Sequence, residues 1–117
     1  QLFVDLFRGL VRAKNLASKA DEELSLNKEL LKTDDEANLY HKYIDLSEII
    51  EEYFSAGNYK DALKKIVELK QPIDEFLDNV IVMVDDEEVK QNRLALLQKV
   101  SKLVLPVMDI TEIALDD

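Results

Sequence analysis

The 117-residue chain has no cysteine, one histidine, two glycines and two prolines. Without cysteine there are no disulfides and no thiolate metal sites, which is compatible with a reducing cytosol. A lone His41 cannot build a multi-histidine metal centre, nor serve as the base for more than one nucleophile. Gly9 and Gly57 stand isolated, so no glycine-rich phosphate loop exists. So few glycines and prolines also argue against an all-β fold, which needs special turn residues at every hairpin. The longest apolar run, Val80 to Val84, is far too short to cross a bilayer. No basic, apolar, small-residue leader opens the chain. It starts at Gln1-Leu2-Phe3, in the middle of a hydrophobic pattern, as expected of a piece of a longer protein.

What is present favours helices. Apolar residues make up 47% of the chain, enough for one packed core. Leu, Lys, Glu, Asp, Ala and Ile dominate, most of them comfortable in helices. The net charge is −10. Nucleic-acid binders neutralise phosphates with cations, so this balance argues against non-specific nucleic-acid binding. It leaves room for a local basic stripe, and it also suits a competing reading, an acidic helical protein-interaction module.

Apolar residues at 2, 3, 6, 7, 10, 13, 16, 17 and 20 predict an amphipathic helix over Leu2 to Ala20. Residues 21–34 read as an internal linker with one helical turn around Asn27 to Leu31. Thr33 or Asp34 is placed to cap a helix running from about Asp35 to Ser55. Ala56-Gly57-Asn58 breaks it, with Gly57 suited to a left-handed conformation. Asn58 caps a short helix over Tyr59 to Leu69. Pro72 then opens another at its first helical position. Val80 to Val84 is rejected as a strand because no second strand candidate could pair with it. Asp85 and Glu88 have capping-box spacing. A long helix is predicted from about Asp86 to Leu103, with Val89, Leu94, Leu97, Val100 and Leu103 inward. Pro106 should end or kink it, and Val107 to Leu115 should form a short final segment. The expected architecture is all-α: an antiparallel bundle of about five helices in one domain spanning 1–117.

Catalytic chemistry finds little purchase. The acidic pairs Asp34-Asp35, Asp85-Asp86 and Asp116-Asp117 lack the glycine and the alternation of a calcium loop, and helix-start electrostatics account for them better. No catalytic residue, metal site or cofactor site is assigned. The tyrosines Tyr40, Tyr43, Tyr53 and Tyr59 fall mostly on apolar faces, which favours packing over base stacking. Lys60, Lys64, Lys65 and Lys70 interleave with acids and suit ordinary exposed pairs.

One polar constellation differs. Arg8, Arg12, Asn15 and Lys19 are spaced 4, 3 and 4 apart, so a helix gathers them into one stripe opposite Phe3, Leu6, Leu10 and Ala17. Arg and Lys reach phosphates, and Arg and Asn also bond base edges of unpaired RNA. The plainer alternative is the solvated face that every amphipathic helix has.

Two further stretches are distinctive: Tyr59-Lys60-Asp61-Ala62-Leu63, and then Gln71-Pro72-Ile73-Asp74-Glu75-Phe76-Leu77-Asp78-Asn79-Val80-Ile81-Val82-Met83. Acids follow, then Asn92-Arg93-Leu94-Ala95-Leu96-Leu97. This order resembles the helical anticodon-binding family called DALR, found in arginyl-tRNA synthetases and at the C-terminal end of bacterial glycyl-tRNA synthetase beta subunits. Arg12-Ala13-Lys14-Asn15-Leu16 is similar to the family's first helix, and Leu77 stands where the family often has Phe. The resemblance implies tRNA-Gly as a partner, together with a glycyl-tRNA synthetase alpha subunit that carries the ATP-dependent glycylation. It implies a cytoplasmic setting, no membrane, and no chemistry in this segment. Arg8, Arg12, Asn15 and Lys19 become the expected RNA-binding residues. The signature itself reads as scaffold, with Phe76, Val80, Leu94 and Leu97 in the core. Asp74 or Asp78 is expected to pair with Arg93 across two helices.

Overall fold

The computed structural model describes the backbone of residues 2–20 and 22–116 and the side chains of residues 5–20 and 22–106. The elements are α1 (Leu2–Ala17), a 3₁₀ turn (Lys28–Leu30), α2 (Asp34–Ser55), α3 (Tyr59–Val67), α4 (Lys70–Asn79) and α5 (Glu87–Asp116). Five α-helices form, as the periodicity predicts, and no strand occurs among the described residues. At 1.5 Å per residue the 30-residue α5 is about 45 Å long, which matches the longest dimension of the molecule, 45 × 25 × 24 Å. It is the axis of the bundle: α1 packs on α4 and α5, and α2 on α3, α4 and α5.

The apolar faces meet in one core. Leu6, Leu10 and Ala13 of α1, Leu39 and Ile50 of α2, Ile66 of α3, and Ile73 and Phe76 of α4 are buried around Leu94, Leu96, Leu97 and Val100 of α5. Burial of each large side chain contributes roughly 1.5–3 kcal/mol against chain entropy. The signature residues Phe76, Val80, Leu94 and Leu97 are core, as expected. Gly9 permits a close contact of α1 with α4, since a Cβ there would lie 3.1 Å from Asp74 Oδ1 and 3.5 Å from Ile73 Cγ2.

Local chemistry sets the boundaries. Thr33 caps α2, its hydroxyl accepting from the Glu36 N–H at 3.2 Å. Gly57, at φ 79°, ends α2. The Asn58 N–H donates to the Tyr53 carbonyl at 2.8 Å and the Gly57 N–H to that of Phe54 at 3.1 Å, the paired bonds of a left-handed glycine stop.

Several boundaries differ from the sequence expectation, each for a local reason. Helix α1 stops at Ala17 instead of Ala20, and the Ser18 hydroxyl donates back to the Asn15 carbonyl at 2.8 Å, a local bond that competes with helix continuation. Asn58 occupies the cap position of α3, but its side chain makes no capping bond. That helix ends at Val67, and α4 already starts at Lys70, so Pro72 is its third residue; the missing N–H still belongs to the first turn, where no intrahelical acceptor exists. Helix α4 stops at Asn79, and Val80 to Asp86, part of which the sequence excludes as a strand, form a loop. The cap of α5 is Asp86, not Asp85: its carboxylate accepts from the N–H groups of Glu88 at 3.1 Å and Val89 at 3.3 Å. Helix α5 neither ends at Leu103 nor breaks at Pro106. Pro106 and Lys102 are both exposed, so water can take the Lys102 carbonyl that the imino ring leaves without a donor.

The Arg93 pairing is also corrected. Arg93 bonds neither Asp74 nor Asp78. Its Nε donates to Glu36 Oε1 at 3.0 Å, Nη2 lies 2.8 Å from the same oxygen, and Nη1 donates to the Ile81 carbonyl. Asp74 instead takes Lys70 at 2.7 Å, and Asp78 faces Arg12. Asp74 and Asp78 find bases at or near the surface, while the buried guanidinium needs a buried carboxylate.

The segment between Ala17 and α2 is strapped to α5 by side chains. Asn92 Oδ1 accepts from the Asn27 N–H at 2.7 Å, and Gln98 Oε1 accepts from that of Leu24 at 2.8 Å. Gln98 Nε2 donates to the Glu22 carbonyl at 2.9 Å, and Lys102 holds Glu23 at 2.8 Å. Asn27 initiates the 3₁₀ turn, in place of the helical turn expected around Asn27 to Leu31, its side chain accepting from the Glu29 N–H at 3.0 Å.

Candidate nucleic-acid interface

An amphipathic helix that buries one face must show the other. On α1, Leu6, Leu10, Ala13 and Ala17 turn inward, while Arg8, Arg12, Asn15 and Lys19 are exposed. Phe3, placed by the sequence on the inner face, lies outside the residues whose side chains are described. Lys19 sits just past the end of α1, in a turn kept close by the bond from its own N–H to the Leu16 carbonyl at 3.1 Å. The stripe is therefore three helical residues and one turn residue.

The charge around this face is sorted. Helix α1 carries Arg8, Arg12 and Lys14 against the single acid Asp5. Helix α2 carries seven acids, Asp34, Asp35, Glu36, Asp45, Glu48, Glu51 and Glu52, against the single base Lys42. Both helices pack on α4 and α5 but hardly touch each other. A chain of net charge −10 thus still offers a basic helix face on α1, as α3 does with Lys60, Lys64 and Lys65 against Asp61, and potentials of this kind act locally. Next to the end of α2, Glu48, Glu51, Glu52 and Ser55 line an acidic depression that disfavours phosphate.

Arg12 faces Asp78 of α4 at 3.7 Å, with both side chains more than half exposed (57% and 66%). A pair so long and so wet contributes little and yields readily to a phosphate. It orients Arg12 without consuming it.

The sequence missed Lys14. It is exposed about a third of a turn away from the stripe, beside a groove of ≈ 520 Å³ between the end of α1, the strap and α5. Ser18, Gln98 and Lys102 share that groove. No sequence signal reveals it, because the groove exists only once the strap lies on α5.

The other candidates read as packing. Tyr40, Tyr43 and Tyr53 are half-buried against the core, and burial pushes the Tyr43 phenol up. Tyr59 is exposed and leans on Phe54 at 5.5 Å between ring centroids. His41 is exposed and makes an edge contact with Tyr40 at 5.6 Å. Lys65 pairs with Glu68 at 3.4 Å and Lys70 with Asp74, the ordinary surface pairs expected of that helix pair. No helix of the described residues is long and apolar enough to cross a membrane.

Fold and face together define an all-helical bundle that turns a basic side of α1 outward. The family model of the DALR anticodon binding domain matches residues 7–115, and the chain belongs to that family. Among its relatives is the glycine-tRNA ligase beta subunit of Halothermothrix orenii, 53% identical over 116 residues, which cover 99% of this chain and 17% of that one. The beta subunits of the same ligase from Aliivibrio fischeri and Escherichia coli are 45% and 43% identical over 102 residues, 86% of this chain and 15% of theirs. The chain therefore spans about a sixth of the length of these relatives.

Proposed function

We propose that the chain is the anticodon-binding segment of a glycine-tRNA ligase beta subunit and holds the anticodon region of tRNA-Gly on the outer face of α1. One observation carries this reading: a member of the DALR anticodon binding domain family, acidic overall, turns a basic helix face outward through Arg8, Arg12 and Asn15. Cations there meet phosphates, and Arg and Asn bond the edges of splayed bases. Glycylation of tRNA at the expense of ATP belongs in this reading to an alpha subunit, with the beta subunit as its partner in the cytoplasm. The segment itself positions RNA and does no chemistry.

The test compares binding of tRNA-Gly transcripts carrying the native or an altered anticodon. The reading expects the altered anticodon to weaken binding at least tenfold, the loss of roughly one good base contact. Equal affinity for both transcripts contradicts it.

A further inference from the structure

Four large apolar side chains are exposed among the described residues, and two of them share the α4–α5 loop: Ile81 at 72% and Met83 at 49%. The loop alternates. Val80 and Val82 are buried at 7% and 5%, while Ile81 and Met83 point to solvent. Its backbone is anchored from behind. Arg93, itself fixed on Glu36, donates to the Ile81 carbonyl, and the Val84 N–H donates to the Val82 carbonyl at 3.0 Å. Asp86 closes the loop by capping α5. Two apolar side chains presented on an anchored backbone lose little entropy on docking. Met, unbranched and polarisable, adapts to an irregular socket.

The surroundings decide what kind of partner fits. Asp85, Asp86, Glu87 and Glu88 follow the knob and are all exposed. Two bases of the adjoining α5 are already engaged: Lys90 with Glu87 at 3.0 Å and Arg93 with Glu36. An acidic collar repels RNA phosphates and anionic lipid headgroups alike. It complements a protein surface whose apolar socket is rimmed by Lys and Arg.

We propose that Ile81 and Met83 form a docking knob that inserts into a Lys- and Arg-rimmed apolar socket on another part of the same polypeptide. This rests on the reading above, in which the segment is one part of a beta subunit; in the relatives, the matched segment is only 17% or 15% of the chain. Docking there fixes the bundle by its α4–α5 corner.

The experiment uses the full-length polypeptide that contains this segment, with Met83 replaced by the photo-crosslinker p-benzoyl-phenylalanine and a second sample with Ile44, on α2, replaced instead. After irradiation, cross-linked peptides are mapped by mass spectrometry. The expected result is an intramolecular cross-link from position 83 to apolar residues flanked by Lys or Arg, and none from position 44. Adding Asp85→Lys and Glu88→Lys should lower its yield about fivefold or more, because reversed rim charges weaken docking, while circular dichroism confirms an intact helical fold. Adducts with tRNA or with a separate polypeptide, no adduct, a socket without basic residues, or a yield indifferent to charge reversal each overturn the proposal. Anticodon dependence of tRNA binding is measured on the same samples. If it persists while the cross-link fails, the knob alone is refuted; if it is absent while the cross-link forms, the RNA reading alone is refuted.

Discussion

Glu36, in the first turn of α2 and fully buried, holds Arg93 of α5 through one oxygen, Oε1, which also accepts from the Thr33 hydroxyl at 3.2 Å. A single carboxylate oxygen thus joins the start of α2 to the axis of the bundle, and Arg93 passes the link on to the Ile81 carbonyl. Removing one partner strands a buried charge, which costs far more than the net worth of the pair. Arg93→Ala should destabilise the fold by about 3–5 kcal/mol and lower Tm by more than about 10 °C. Arg93→Lys should not rescue it, since an ammonium cannot reach the carboxylate and the carbonyl with the same fork. Thermal unfolding followed by circular dichroism checks this; an unchanged Tm contradicts it.

The end of α2 makes a second, smaller prediction. Gly57 adopts φ 79° with open space where a Cβ would stand, so substitution there meets backbone strain and no clash. Gly57→Ala should cost about 1 kcal/mol, and Gly57→Asn less, because Asn tolerates the left-handed region. Denaturant midpoints of the two variants decide it, and a stabilised Ala variant would refute the stated role.

The strap predicts a pH effect. The Lys102 ammonium, hydrogen-bonded to Glu23, holds that carboxyl below its usual range. A depressed carboxyl contributes to the folded state above the ordinary carboxylate range, and the contribution fades as pH falls through the lowered value. Both groups are exposed, so the effect is local. An NMR titration should place the Glu23 midpoint below that of an unpaired glutamate, and Lys102→Ala should return it to the ordinary range. Identical midpoints in both proteins contradict the strap contact.

Much of this was legible in the sequence, for identifiable reasons. Helical periodicity gave five helices and most of the core, because apolar spacing and burial are the same fact on one helix. Thr33 and Gly57 were readable because their caps are local. The sequence misled where the deciding contact is distant. Arg93 was matched with Asp74 or Asp78, which lie near it in sequence, while its partner Glu36 is 57 residues away. Gln98 and Asn92 gave no sign that they strap a segment more than sixty residues earlier. The sequence excludes a strand at Val80 to Val84 but does not show the loop there, since alternating burial of Val80 and Val82 depends on neighbours that periodicity does not see. The stripe on α1 is visible as a pattern; that the acid-rich α2 hardly touches α1 is visible only in the fold.

The most direct test of that face is the affinity of Arg8→Glu/Arg12→Glu for tRNA-Gly, measured against salt concentration. If α1 meets the anticodon region, affinity should fall at least tenfold and the salt slope should shrink by roughly 1.5, as expected when about two phosphate contacts are lost. The helical fold should be retained, since both side chains are exposed. Unchanged affinity with an unchanged slope would remove α1 from the interface and contradict the account.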